Sequence, residues 1–109
     1  MKFQDQIVWI TGASSGIGEA LAYAFAREGA RLVLSARRAE ELERVRRACL
    51  RPEAHLVVPL DLTRSDTFPA IAADVLTRCG GIDILVNNGG VSQRGLAVET
   101  ALAIELQIM

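Results

Sequence analysis

Gly12, Gly16 and Gly18 are spaced G-x-x-x-G-x-G within Thr11-Gly12-Ala13-Ser14-Ser15-Gly16-Ile17-Gly18. Glycines at this spacing permit a sharp turn and let backbone N–H groups come close to a pyrophosphate. The stretch follows the apolar run Ile7-Val8-Trp9-Ile10 and opens an amphipathic segment. Strand, glycine turn and helix in that order make a dinucleotide-binding site, because the helix N-terminus adds a favourable dipole for the anion. An ordinary strand-to-helix turn is the plainer alternative; the strand before and the helix after it favour the ligand.

The end of the second apolar run bears on cofactor type. A carboxylate about 20 residues past the glycines would bind the adenosine ribose hydroxyls of NAD. This chain has Ser35-Ala36-Arg37-Arg38 there. Two guanidinium groups and no carboxylate favour a 2′-phosphate, hence NADP over NAD. Arginines on a solvated helix start are the alternative. Asp61 either accepts a hydrogen bond from an adenine amino group or organises the turn into the next helix. Asn87-Asn88-Gly89-Gly90 ends another apolar run. Its amides can bond a ribose or pin nearby backbone, and its glycines allow close approach; a plain Asn-Gly turn is the alternative. His55 is the only histidine and has no acidic or thiol partner nearby in sequence, so it reads as structural. Cys49 and Cys79 match no metal or redox spacing and read as reduced thiols. No metal site is expected.

Alternating strands and helices must position these groups. Ile7–Ile10 reads as strand one. Ile17, Ala20, Leu21, Ala24 and Phe25 mark one face of a helix that Gly29 ends. Arg31–Ala36 reads as strand two, and Leu42, Val45 and Cys49 mark helix two, closed by Pro52. On its outer face Glu40–Arg44 and Glu43–Arg47 stand in the favourable i,i+4 order. His55–Leu60 reads as strand three. Thr63 with Asp66 resembles a capping box for helix three, which runs from Phe68 through Val75 to Cys79 and stops at Gly80-Gly81. Ile82–Val86 reads as strand four, and Thr100–Met109 starts a fourth helix. Short connections imply right-handed crossovers and an α/β, Rossmann-type doubly wound parallel sheet of four strands, order 3-2-1-4. Both glycine-bearing loops then fall at the switch point between strands one and four, where ligands bind.

The 109 residues suffice for one core. Half are apolar and mean hydropathy is positive, which suits a sheet covered on both faces. A net charge of −1 gives no field for nucleic acid or anionic membranes. The glutamates among Arg37, Arg38, Arg44, Arg46 and Arg47 point to a solvated helix, not a nucleic-acid patch. No apolar run reaches the ~18 residues of a membrane helix, and Gln4, Asp5 and Gln6 interrupt any signal-peptide core.

Together these residues resemble the short-chain dehydrogenase/reductase family. The glycine stretch looks like its cofactor motif, Asp61-Leu62 like its adenine-site pair, and Asn87-Asn88-Gly89-Gly90 like its Asn-Asn-Ala-Gly signature with Gly89 for Ala. Leu32–Arg38 and Asn88–Gly95 look most like the dehydrogenase/reductase member 7 branch. The resemblance covers essentially the whole chain, and its three motifs agree in order and spacing. It implies that Gly12, Ser14, Ser15, Gly16, Ile17 and Gly18 line a pyrophosphate. Arg37, with Arg38, would meet the 2′-phosphate of NADP, Asp61 and Leu62 would hold adenine, and Asn88, Gly89 and Gly90 the nearer ribose.

Residues 1–109 are therefore expected to form the N-terminal part of a single NAD(P)-binding domain of a cytoplasmic, NADP-dependent oxidoreductase. Its substrate would be a small carbonyl or alcohol, and the full-length enzyme a homo-oligomer without nucleic-acid or membrane partners. Some relatives carry an N-terminal hydrophobic anchor; this chain begins almost at strand one, which implies a soluble form. The family's catalysis uses an Asn, a Ser and a Tyr-x-x-x-Lys pair, with the tyrosine as acid/base. Tyr23, followed four residues later by Arg27, is the only tyrosine here and Lys2 the only lysine. No residue of this chain is assigned a catalytic role. The rival expectation is a non-catalytic dinucleotide-binding or interaction module. Against it stands strand four, which would be left as an exposed sheet edge.

Overall fold

The computed structural model describes residues 3–14, 16–61 and 64–87. Ser15, Leu62, Thr63, Asn88, Gly89, Gly90 and the expected fourth helix lie outside them. Strands β1 (Ile7–Thr11), β2 (Arg31–Ser35), β3 (Leu56–Val57) and β4 (Ile84–Asn87) alternate with helices α1 (Gly16–Arg27), α2 (Ala39–Ala48) and α3 (Phe68–Cys79). The strands form one parallel sheet in the order β3-β2-β1-β4. This is the order expected from the alternating pattern.

Two apolar layers cover the sheet. Val8, Ile10, Leu32 and Leu34 share one face with Ala22 and Ala26 of α1 and Leu42 and Val45 of α2. Trp9 and Val33 face the other way, onto Phe68, Ala72 and Val75 of α3. The period-2 alternation of side chains along each strand produces this division. A fully buried aliphatic such as Leu34 contributes about 1.5–3 kcal/mol. Helices on both faces follow from one crossover hand: the chain runs outward from β1 to β3, then returns past both to β4.

Helix ends follow local chemistry. Gly29, at φ 89°, donates to the Ala26 carbonyl while Ala30 donates to Phe25, the two bonds of a Schellman stop. Gly80, at φ 80°, stops α3 by donating to Leu76.

Several boundaries differ from expectation. Pro52 does not close α2, which ends at Ala48; it opens a 3₁₀ turn over Pro52–Ala54, where its missing N–H costs nothing. Ladder pairing in β3 covers only Leu56–Val57, but Val58 and Leu60 still donate to Leu34 and Ala36. Pro59 between them lies past the paired residues of the edge strand, so its missing N–H breaks no ladder bond. The expected capping box does not start α3. A 3₁₀ turn over Ser65–Thr67 precedes the helix, Thr67 is its N-cap residue, and Pro69 stands in its first turn. Strand β4 begins at Ile84 rather than Ile82. There the Asp83 carboxylate, not a carbonyl, takes the Ile7 N–H at 2.8 Å, while the Asp83 N–H donates to the Ile7 carbonyl at 2.9 Å.

Candidate dinucleotide-binding site

The glycine loop leaves the carboxyl end of β1 under restraint from three sides. Thr11 is buried and its hydroxyl reaches the Val86 carbonyl of β4 at 3.4 Å. The Ala13 N–H donates to the Ser35 carbonyl at the end of β2. Ser14 presents its carbonyl to Arg44 of α2, which donates from Nη2 at 3.1 Å. Gly12 and Gly16 stand at φ 65° and 57°, left-handed backbone that side chains resist. Among the described residues, a Cβ at Gly16 would meet no atom within 4 Å. Among the described residues the space beside Gly16 is therefore open. Gly18 is buried, so α1 packs closely on the sheet. The first N–H groups of α1 lack intrahelical acceptors and face the same end as the loop. Ile17 there is 70% exposed, a large apolar side chain left uncovered among the described residues.

The end of β2 lies beside this loop. Ser35 is fully buried, and its hydroxyl oxygen accepts the Trp9 indole N–H at 2.8 Å. It faces the core and is not placed to bind a ribose hydroxyl. Arg37 and Arg38 follow, both exposed, and no described residue forms an ion pair with either. Arg38 is the N-cap residue of α2 without a side-chain cap bond. Its guanidinium is not committed to the helix. Because Leu60 donates to Ala36, Asp61 follows β3 at the level where Arg37 follows β2. Asp61 is half-buried, and its carbonyl closes a turn with the Arg64 N–H at 2.9 Å. Thus Gly12, Ser14, Gly16, Ile17, Gly18, Arg37, Arg38 and Asp61 gather at the carboxyl ends of neighbouring strands. The expected contributions of Ser15, Leu62, Asn88, Gly89 and Gly90 lie outside the described residues.

Arg44 escaped the sequence reading, which paired it with Glu40. It binds Glu41 at 3.0 Å and both oxygens of Glu19 at 3.2 Å. Glu43 takes Arg46 at 2.8 Å, with Arg47 only at 4.0 Å. Tyr23 joins the cluster by donating its hydroxyl to Glu19 at 2.6 Å. The Arg44 hydrogen bond, then that of Tyr23, holds the Glu19 carboxyl below its ordinary range. The same Glu19 bond pushes the Tyr23 phenol up. Burial pushes the Cys49 thiol up to about 11. Among the described residues both cysteines are free, and no cluster of three potential metal ligands occurs.

The family model for short chain dehydrogenases matches residues 6–107. The chain belongs to the short-chain dehydrogenase family. It is 54% identical over 108 residues to the human dehydrogenase/reductase SDR family member 7, covering 94% of this chain and 32% of that protein. Among solved structures, a short-chain dehydrogenase/reductase from Mycobacterium marinum superposes with a TM-score of 0.85 at 25% identity, over 94% of this chain and 51% of the other. A metagenomic short-chain oxidoreductase in complex with NADP gives a TM-score of 0.78 at 33% identity, over 95% and 56%. The chain thus spans about a third of its curated relatives' length and about half that of the solved structures.

Proposed function

We propose that this chain is the NADP(H)-binding part of a short-chain oxidoreductase that moves a hydride between NADP(H) and a carbonyl or alcohol. The observation that carries the reading is the pair Arg37 and Arg38, exposed beside a β2 end whose Ser35 is turned into the core. Arginine supplies charge-assisted bonds to a phosphate where a carboxylate would repel it. A solved relative that holds NADP adds support.

Each group of residues has a task in this reading. Gly12, Ser14, Gly16 and Gly18 present backbone to the pyrophosphate, and α1 adds its dipole. Arg37 and Arg38 take the 2′-phosphate. Asp61 would accept from the adenine amino group. Ile17 offers apolar cover beside the phosphates. The bound nicotinamide would supply or accept the hydride. A cytoplasmic setting and a homo-oligomeric full-length enzyme belong to the same reading.

Titrating NADPH into the isotope-labelled chain tests the site by amide chemical shifts. The expected result is saturable shifts at Gly12, Ser14, Gly16, Ile17, Gly18, Arg37 and Arg38. Shifts confined to the opposite end of the sheet, around His55 and Gly80, would contradict the placement.

A further inference from the structure

We propose that Arg44 is a positioning residue that sets the glycine loop's affinity for the pyrophosphate, an inference that rests on the dinucleotide reading above. Four hydrogen bonds from one guanidinium, to three residues, carry it. Nη2 donates to the Ser14 carbonyl at 3.1 Å, inside the loop and 30 residues away in sequence. Nη1 and Nη2 each donate to Glu19 at 3.2 Å. Arg44 also donates from Nε to Glu41 on its own helix at 3.1 Å.

The loop contact fixes backbone. The amides that would face a phosphate belong to the segment whose carbonyl Arg44 grips. Holding Ser14 orders that segment before the ligand arrives, which lowers the entropic cost of binding. The Glu19 contact fixes charge. Glu19 is the acidic residue of the first turn of α1. An acid there stabilises a bare helix but opposes a second anion at the same N-terminus. Arg44 neutralises it, and Tyr23 bonds the same carboxylate. Arg44 thus orders the loop and removes a competing charge. A lysine ammonium lacks the planar fork that serves these acceptors together.

The test compares the parent chain with Arg44→Ala, Arg44→Lys and the double variant Arg44→Ala/Glu19→Gln. Amide exchange is followed without ligand, and dissociation constants are measured for NADPH and NADH. Arg44→Ala is expected to speed exchange at Ala13, Ser14 and Gly16 while Val8–Ile10 stay protected. It should weaken both cofactors by a similar factor, about three- to thirtyfold. Adding Glu19→Gln should recover part of that affinity without restoring loop protection, which loss of a merely structural tie would not show. Arg44→Lys should fall between. A parent that binds while Arg44→Ala leaves affinity and loop exchange unchanged overturns this inference alone. Weakened binding with no recovery in the double variant overturns its charge component. A parent that binds neither cofactor overturns the dinucleotide reading and this inference with it.

Discussion

His55 accepts the Leu32 backbone N–H on Nδ1 at 3.1 Å, so a side chain serves where a neighbouring strand's carbonyl would. Its other nitrogen lies 2.8 Å from the Leu50 carbonyl, which fixes the neutral ring with its proton on Nε2. The ring is buried, and burial lowers its pKa against the opposing pull of the Leu50 bond. An imidazolium has no lone pair for Leu32. Protonation must therefore break the contact that starts the β2–β3 pairing.

That relationship predicts the pH dependence of stability. The folded-state pKa lies below the unfolded value, so the contribution is complete above about pH 6.5 and is lost as pH falls through the folded value. Urea unfolding from pH 7.5 to 4.5 should show the parent losing stability faster than His55→Asn below pH 6.5. At pH 7.5 the variant's side-chain amide oxygen can still accept from Leu32, so the variant should lose less than the about 1–3 kcal/mol that an unpaired Leu32 N–H would cost. Identical slopes for the two proteins would refute the assignment.

Gly16 supplies a second prediction. Its φ of 57° makes any side chain costly, by about 1–2 kcal/mol for alanine. No atom of the described residues lies within 4 Å of the added Cβ, so the fold should survive. The Cβ would instead meet the ligand. Gly16→Ala should remain folded by circular dichroism and bind NADPH more than tenfold more weakly. Binding at parental strength would show that the loop's closest approach to phosphate lies elsewhere.

Much of this molecule is legible in its sequence because its signals are local. The glycine spacing, the Arg37-Arg38 pair and the apolar runs each occupy a few consecutive residues, and crossover handedness turns their order into a sheet order. What escapes is non-local. Arg44 meets Ser14 and Glu19 across 30 and 25 residues, and nothing near Arg44 marks it apart from Arg46 or Arg47. Asp83 clips Ile7 across 76 residues, and only the folded sheet brings them together. His55 reads correctly as structural, but its acceptor role needed the β2–β3 register. Boundary errors at Pro52 and Thr63 share a cause: short 3₁₀ turns consume residues that a helix-or-loop reading gives to α2 and α3.

A third prediction concerns turnover. Carbonyl reduction needs a proton donor beside the developing alkoxide. The family's Tyr-x-x-x-Lys pair cannot be built from Tyr23 and Lys2, the chain's only residues of those types. Tyr23 is bonded to Glu19, which raises its pKa, opposite to the tuning an acid/base tyrosine requires. His55 has both nitrogens engaged in backbone contacts. The 109-residue chain should therefore oxidise no NADPH above background with any aldehyde or ketone. Turnover that disappears on changing one of its own residues would show that it carries a catalytic group.

The central claim is cofactor choice, and the most direct measurement is binding of NADPH and NADH to the parent chain and to Arg37→Ala. One guanidinium–phosphate contact is worth about 1.5–3 kcal/mol, roughly 10- to 150-fold in affinity. The parent should prefer NADPH by a factor in that range, and Arg37→Ala should lose most of the preference by weakening NADPH while leaving NADH unchanged. Equal affinities in the parent, or a preference that survives the substitution, would contradict the account.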